Sequence, residues 1–246
     1  MSPGRRLVGL VFVISMLTAC SLSSSQPPTP TASTSGPSVA SSPSAAKSRS
    51  TRAATAPTWA PGDRWTYAWT SGKDGGRKTV EVREIRELNG ALYYVVRNAG
   101  ADHYWTRDIH WVGTVRDSKP ETRMDPPEPW FSWPLEPGRQ WQHRGEFAQA
   151  DGKRSVAEDV FVVVGTEAVE VPAGTFQAFR ITRTGRGGDT DEYWYVPEVR
   201  SYARWIGRRL DGQGNVIQFE ERLAEYRAAP TLPPPGEPPR VPSSLR

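Results

Sequence analysis

The stretch VAEDVFVVVGTEAVEVPAGTFQAFRITRT, residues 156–184, decides the fold class. Val169 and Val171 flank Glu170 with a period of two, the alternation of a strand that buries one face. Pro172 and Gly174 then punctuate the chain, and an apolar run restarts at Phe176. Two strands joined by a tight turn make a hairpin. The run Val160–Gly165 is too apolar for a half-exposed strand, which predicts a central strand covered on both faces.

Outward from that hairpin the vocabulary stays the same. Val80 and Val82 alternate with Glu81 and Arg83, and Asn89-Gly90 follows. That dipeptide is a strong hairpin signal, because a type I′ turn needs positive φ at both central residues. Near the end, SYARWIGRRL (201–210) and NVIQFEERLAEYR (215–227) are joined by DGQG. The segment 218–227 admits an amphipathic helix, but strand fits its setting better. No long helical stripe occurs. Roughly ten to twelve strands at this spacing predict an all-β fold: an antiparallel barrel, half-barrel or sandwich.

The signals also recur in order. PGDRW (61–65) is matched by PGRQW (137–141), each followed by a glycine-rich turn and an alternating strand. NGALYYVVR (89–97) corresponds to AGTFQAFRI (173–181), and DHYWT (102–106) to DEYWY (191–195). Two similar halves, 57–128 and 129–228, are therefore expected, with Gly90 over Gly174. Proline cannot donate to a sheet and glycine tolerates positive φ, so each Pro-Gly turns the chain into a first strand. Trp65 and Trp141 are expected to clamp those strands by burying a large ring.

The chain ends address the protein. Arg5-Arg6, the apolar run Leu7–Leu17 and small residues before Cys20 form a secretory signal peptide over 1–19. The apolar run is too short to span a bilayer, which takes about 20 residues. Leu17-Thr18-Ala19-Cys20 resembles the lipobox of bacterial lipoproteins, and the resemblance implies lipidation of Cys20, the only cysteine in the chain. It implies partnership with the membrane through an acyl anchor, at the outer membrane or the outer face of the cytoplasmic membrane. Ser21, which is not aspartate, favours the outer membrane where there are two. Residues 20–56 are a Ser/Thr/Pro-rich tract with too little apolar bulk to fold, and 229–246 a proline-rich tail.

The segment from Val169 to Trp205 resembles bacterial envelope lipoproteins of unknown function. It carries their Val-Pro-Ala-Gly-Thr-Phe hairpin (Val171 to Phe176) and Tyr-Trp-Tyr-x-Pro-x-Val strand end (Tyr193 to Val199), after a Gly-x-x-Trp-x-Tyr opening within Trp59 to Tyr67. Arg200-Ser201-Tyr202 departs from the glycine and valine usual there. The resemblance implies a β-rich fold and an envelope location, with no catalytic residues to carry over.

Function classes narrow accordingly. The 31 Lys+Arg and 27 Asp+Glu are interleaved and form no basic stripe, which argues against nucleic acid. His103, His110 and His143 lack metal-ligand spacing and are read as surface or strand-edge residues. GGDTDEY (187–193) is read as a solvated hairpin tip. No Gly-x-Ser-x-Gly elbow occurs. No enzyme, metal or cofactor is expected. All ten tryptophans lie beyond the linker. Neighbours in a strand point to opposite faces, so Tyr104-Trp105 and Tyr193-Trp194 each place one ring outward. These four are the candidate ligand-face aromatics. The leading expectation is a filled interior in a tethered domain that binds or supports an unknown envelope component. The alternatives are a hollow carrier of apolar ligands, lipid or lipoprotein, and a glycan-binding module.

Overall fold

The computed structural model describes residues 53–211 and 213–230; Cys20 and the segments around it lie outside them. The described chain forms twelve strands: β1 (Arg64–Ser71), β2 (Asp74–Leu88), β3 (Ala91–Asn98), β4 (Ala101–Thr106), β5 (His110–Arg116), β6 (Lys119–Pro129), β7 (Gln140–Gln149), β8 (Arg154–Val171), β9 (Gly174–Gly185), β10 (Thr190–Val196), β11 (Ser201–Leu210) and β12 (Val216–Arg227). Each pairs with its sequence neighbours, and β1 closes on β12, with Trp65 opposite Tyr226 and Tyr67 opposite Leu223. The fold is a closed antiparallel barrel. Closure leaves no open sheet edge, which a half-barrel or sandwich would keep.

Turn chemistry explains the up-and-down order. Asn89-Gly90, Ala99-Gly100 and Asp117-Ser118 each place two successive residues at positive φ, the backbone of a type I′ hairpin. Residues 218–227 are strand, with Phe219, Glu221 and Leu223 turned inward and buried.

Along β8, Asp159, Phe161 and Val163 face the interior, while Val160 and Val164 are 43% and 53% exposed on the outer wall. The expectation that this run is covered on both faces is therefore corrected. A closed barrel has one inside, and among the described residues none covers Val160 or Val164 on the outside of β8. Elsewhere that outer wall carries ion pairs such as Arg154–Glu146 at 2.6 Å and Arg204–Glu220 at 2.7 Å. Such a wall faces water, since a lipid-facing barrel wall is apolar.

The two Pro-Gly turns are built alike. Gly62 and Gly138 sit at φ of +93° and +87°. Their N–H groups donate to Val82 O and Val163 O, each at 2.8 Å. Val82 and Val163 in turn donate at 2.9 Å to the carbonyls of Asp63 and Arg139. Both tryptophans then donate to a carbonyl: Trp65 Nε1 to Val199 O at 2.7 Å, Trp141 Nε1 to Pro129 O at 2.8 Å. Trp65 is buried, whereas Trp141 is half-buried and stacks on Phe161 at 5.1 Å.

Two landmark pairs do not coincide. Gly90 is the second turn residue, while Gly174 is the first residue of β9, paired with Val171. Opposite Tyr104 and Trp105 the extra residue is Val112 of β5, and opposite Trp194 and Tyr195 it is Ala203 of β11. Trp105 therefore corresponds to Tyr195, one residue beyond the Tyr-Trp match.

Packing extends past both expected domain ends. Ala54 and Leu135 exchange backbone hydrogen bonds at 3.0 and 2.7 Å. The fully buried Asp63 accepts from Ala60 N at 2.9 Å, Ala229 N at 2.6 Å and Arg200 Nη2 at 2.7 Å. Arg200, the departure from the family pattern, also donates to Thr58 O at 2.9 Å. One carboxylate thus ties the first strand, the β10–β11 turn and the last strand together.

Candidate functional site

The barrel interior divides into two levels. At the end where the chain enters and leaves, Trp59, Trp65, Tyr94, Trp105, Phe131, Leu135 and Tyr195 form a packed plug. Phe131 and Leu135 come from the β6–β7 connection, which folds across that end. Above the plug lies a chamber of ≈ 410 Å³ that reaches the exposed Ala99 and Val156 at the opposite end. The filled-interior expectation is corrected. Twelve strands enclose more space than the inward side chains occupy, and the plug fills only one end. A volume of several hundred Å³ is that of a small-molecule site.

Rings make most of the chamber wall. Trp130 is the hub, with ring centroids 5.0 Å from Trp105, 5.4 Å from Tyr193 and 5.6 Å from Trp205. Tyr193 stacks on Trp205 at 5.6 Å, and Tyr67 on Tyr202 at 4.7 Å. The Tyr67 hydroxyl lies 3.0 Å from Ser201 Oγ. Tyr202 donates to Glu221 at 2.7 Å, and Lys78 reaches the same carboxylate at 2.5 Å. Burial, with Glu221 beside it, raises the Tyr202 pKa well above its ordinary value, so its hydroxyl stays a donor.

A buried charge cluster adjoins the rings. Arg183 on β9 meets Asp159 on β8 and Asp191 on β10, both at 2.6 Å. Arg209 on β11 donates to both oxygens of Asp191 at 2.9 and 3.0 Å, and Trp205 Nε1 adds a third donor at 2.9 Å. His143 Nδ1 lies 3.5 Å from Asp159, and its Nε2 bonds Pro126 O at 3.0 Å. Burial works against the charge on His143, but Asp159 and the Pro126 carbonyl outweigh it and raise the pKa. Glu128 at the end of β6 is different. Burial raises its pKa, and among the described residues its one ion pair is with Arg183 Nε at 3.5 Å.

His103, on β4, borders the chamber with Nδ1 3.4 Å from Thr114 Oγ1. Burial, with Lys78 and Arg116 nearby, lowers its pKa to about 4. At neutral pH it is an uncharged polar lining group.

The four predicted aromatics split as strand geometry requires, but differently in the two halves. Trp105 and Tyr193 face the chamber. Tyr104 lies outside, where Arg86 donates to its hydroxyl at 2.6 Å. Trp194 is also on the outer wall yet only 5% exposed. Arg180 and Arg204 cover its ring at 5.7 and 5.0 Å, and its indole donates to Glu167 at 2.6 Å. A covered ring offers no stacking platform to a glycan.

Two readings from sequence are corrected. Asp191 is not at a solvated tip; it is almost fully buried between two arginines. His143 is buried and His103 is interior rather than on the surface. The missed signal was parity. Asp159 shares the inward phase of Phe161 and Val163, and Arg183 that of Phe179 and Ile181. A charge on a core phase marks an internal network.

No protein-family model matches this sequence, and no curated protein is similar to it. Three solved structures are similar in part. One is a candidate lipoprotein from Parabacteroides distasonis (11% identity, 71% of this chain and 99% of that one, TM-score 0.39). Another is a candidate exported protein with a YmcC-like fold from Bacteroides fragilis (16%, 71% and 99%, TM-score 0.40). The third is the hypothetical lipoprotein YmcC from Escherichia coli (12%, 69% and 86%, TM-score 0.35).

Proposed function

We propose that this protein is a lipid-anchored component of the bacterial envelope whose barrel binds a small, largely apolar ligand. The single observation behind the binding role is the ≈ 410 Å³ aromatic chamber, open at the end where Ala99 and Val156 are exposed. The anchoring role rests on the signal segment and Cys20. A stable anchor takes two or more acyl chains. This ordering puts the carrier reading ahead of structural support, and the covered Trp194 disfavours glycan stacking. On this reading the role is binding rather than catalysis, with Arg183 and Arg209 committed to Asp159, Asp189 and Asp191.

Tryptophans line the chamber, so a neutral naphthyl dye held inside it accepts their excitation energy. N-phenyl-1-naphthylamine should bind saturably, at about one dye per chain, with quenching of tryptophan emission. Ala157 lines the chamber near its mouth. Ala157→Trp should fill the cavity and abolish the signal while preserving the cooperative unfolding transition. Unsaturable dye uptake, or uptake unchanged in Ala157→Trp, would refute the reading.

A further inference from the structure

The chamber's charge balance indicates what kind of small molecule it takes. The cluster at its side joins four carboxyl groups, Glu128, Asp159, Asp189 and Asp191, to three basic groups, His143, Arg183 and Arg209. The basic groups are already committed. Arg183 spends its two terminal nitrogens on Asp159 and Asp191, and Arg209 is held by Asp191 and Asp189. Arg183 Nε makes no hydrogen bond. Among the described residues Glu128 has no hydrogen-bond donor on its carboxyl and no ion partner nearer than 3.5 Å. A buried carboxyl without a donor is costly, and one more positive group restores the balance.

Rings surround that carboxyl. Glu128 pairs across the ladder with Trp111 on β5 and precedes the hub ring Trp130 by two residues. Trp111, Trp130 and Tyr193 all line the same chamber as Glu128. The faces of aromatic rings attract cations, most strongly where water is excluded. Among the described residues no group of three or more acidic, histidine or cysteine side chains is disposed to hold a metal ion. A bulky cation with apolar substituents fits both the rings and the volume.

We infer that the chamber selects an organic cation, an amine or quaternary ammonium bearing an apolar or aromatic group, with Glu128 as its counter-ion and the surrounding rings as its cage. The inference rests on the chamber being a ligand site at all. An anionic amphiphile would instead meet Glu128 in a cluster whose arginines are already paired.

The test is displacement of N-phenyl-1-naphthylamine from the full-length protein in neutral detergent, using benzyltrimethylammonium and its uncharged isostere neopentylbenzene. The cation should compete about tenfold better than the isostere in the native protein, the weight of a partly desolvated cation against aromatic faces. Glu128→Gln, which keeps the shape and removes the charge, should abolish that preference, read as the ratio of cation to isostere competition within each protein. Equal competition by the two compounds, no competition by the cation, or an undiminished cation preference in Glu128→Gln overturns the inference. In each of those cases dye binding still supports the ligand chamber. Absence of dye binding removes the chamber reading and this one with it.

Discussion

His103 makes the interior measurable by acid. The unfolded chain protonates this imidazole near 6.5, whereas the folded barrel holds it neutral down to about 4 because burial and the nearby Lys78 and Arg116 oppose a charge there. Between those values the unfolded state binds the extra proton, so stability falls as pH drops from about 6.5 to 4 and levels off below. A separation of about 2.5 pH units at 1.36 kcal/mol each gives roughly 3 kcal/mol. Water reaching the chamber mouth reduces that to about 2–3 kcal/mol. His103→Gln keeps a partner for Thr114 and cannot titrate. Urea unfolding of both proteins at pH 7 and pH 4 should show the native protein losing about 2–3 kcal/mol more than the variant. The imidazole resonance of His103 should titrate near 4. Parallel stability curves, or a midpoint near 6.5, would show that this side chain is not held in a dry interior.

Three further outcomes follow from the same geometry. Asp63→Ala strands the half-buried Arg200 and releases Ala60 and Ala229, so denaturant unfolding should show a loss of about 3–5 kcal/mol; a loss under about 1 would mean the knot does not bear on stability. Trp65→Ala should cost about 3–5 kcal/mol and Trp141→Ala less, because Trp141 is half-buried; the reverse order would contradict the packing. Cys20→Ala should abolish metabolic palmitate labelling and release the protein from membranes, and membrane retention without label would refute the anchor.

Strand content was legible because alternation and turn residues act locally: Val80 to Arg83 and Asn89-Gly90 needed no distant partner. The lead-in turns were legible for the same reason, since Gly62 and Gly138 answer to backbone angles. Closure was not, because the β1–β12 pairing joins segments more than 150 residues apart and no local signal sets strand number. The chamber was therefore hidden, along with the direction of each Tyr-Trp pair, which strand register sets. Asp63, Arg200, Asp191 and Glu128 look like ordinary surface charges in sequence. They acquire their roles from strands that meet only in the closed barrel.

The most direct test of the central claim is fluorine NMR of the protein labelled with 5-fluorotryptophan, titrated with N-phenyl-1-naphthylamine. Each tryptophan reports its own location. The account predicts that Trp105, Trp130 and Trp205 shift together along one saturation curve while Trp194, covered on the outer wall, stays unmoved. A shift of Trp194 with the three chamber resonances unchanged would place the ligand on the outside of the barrel and contradict the account.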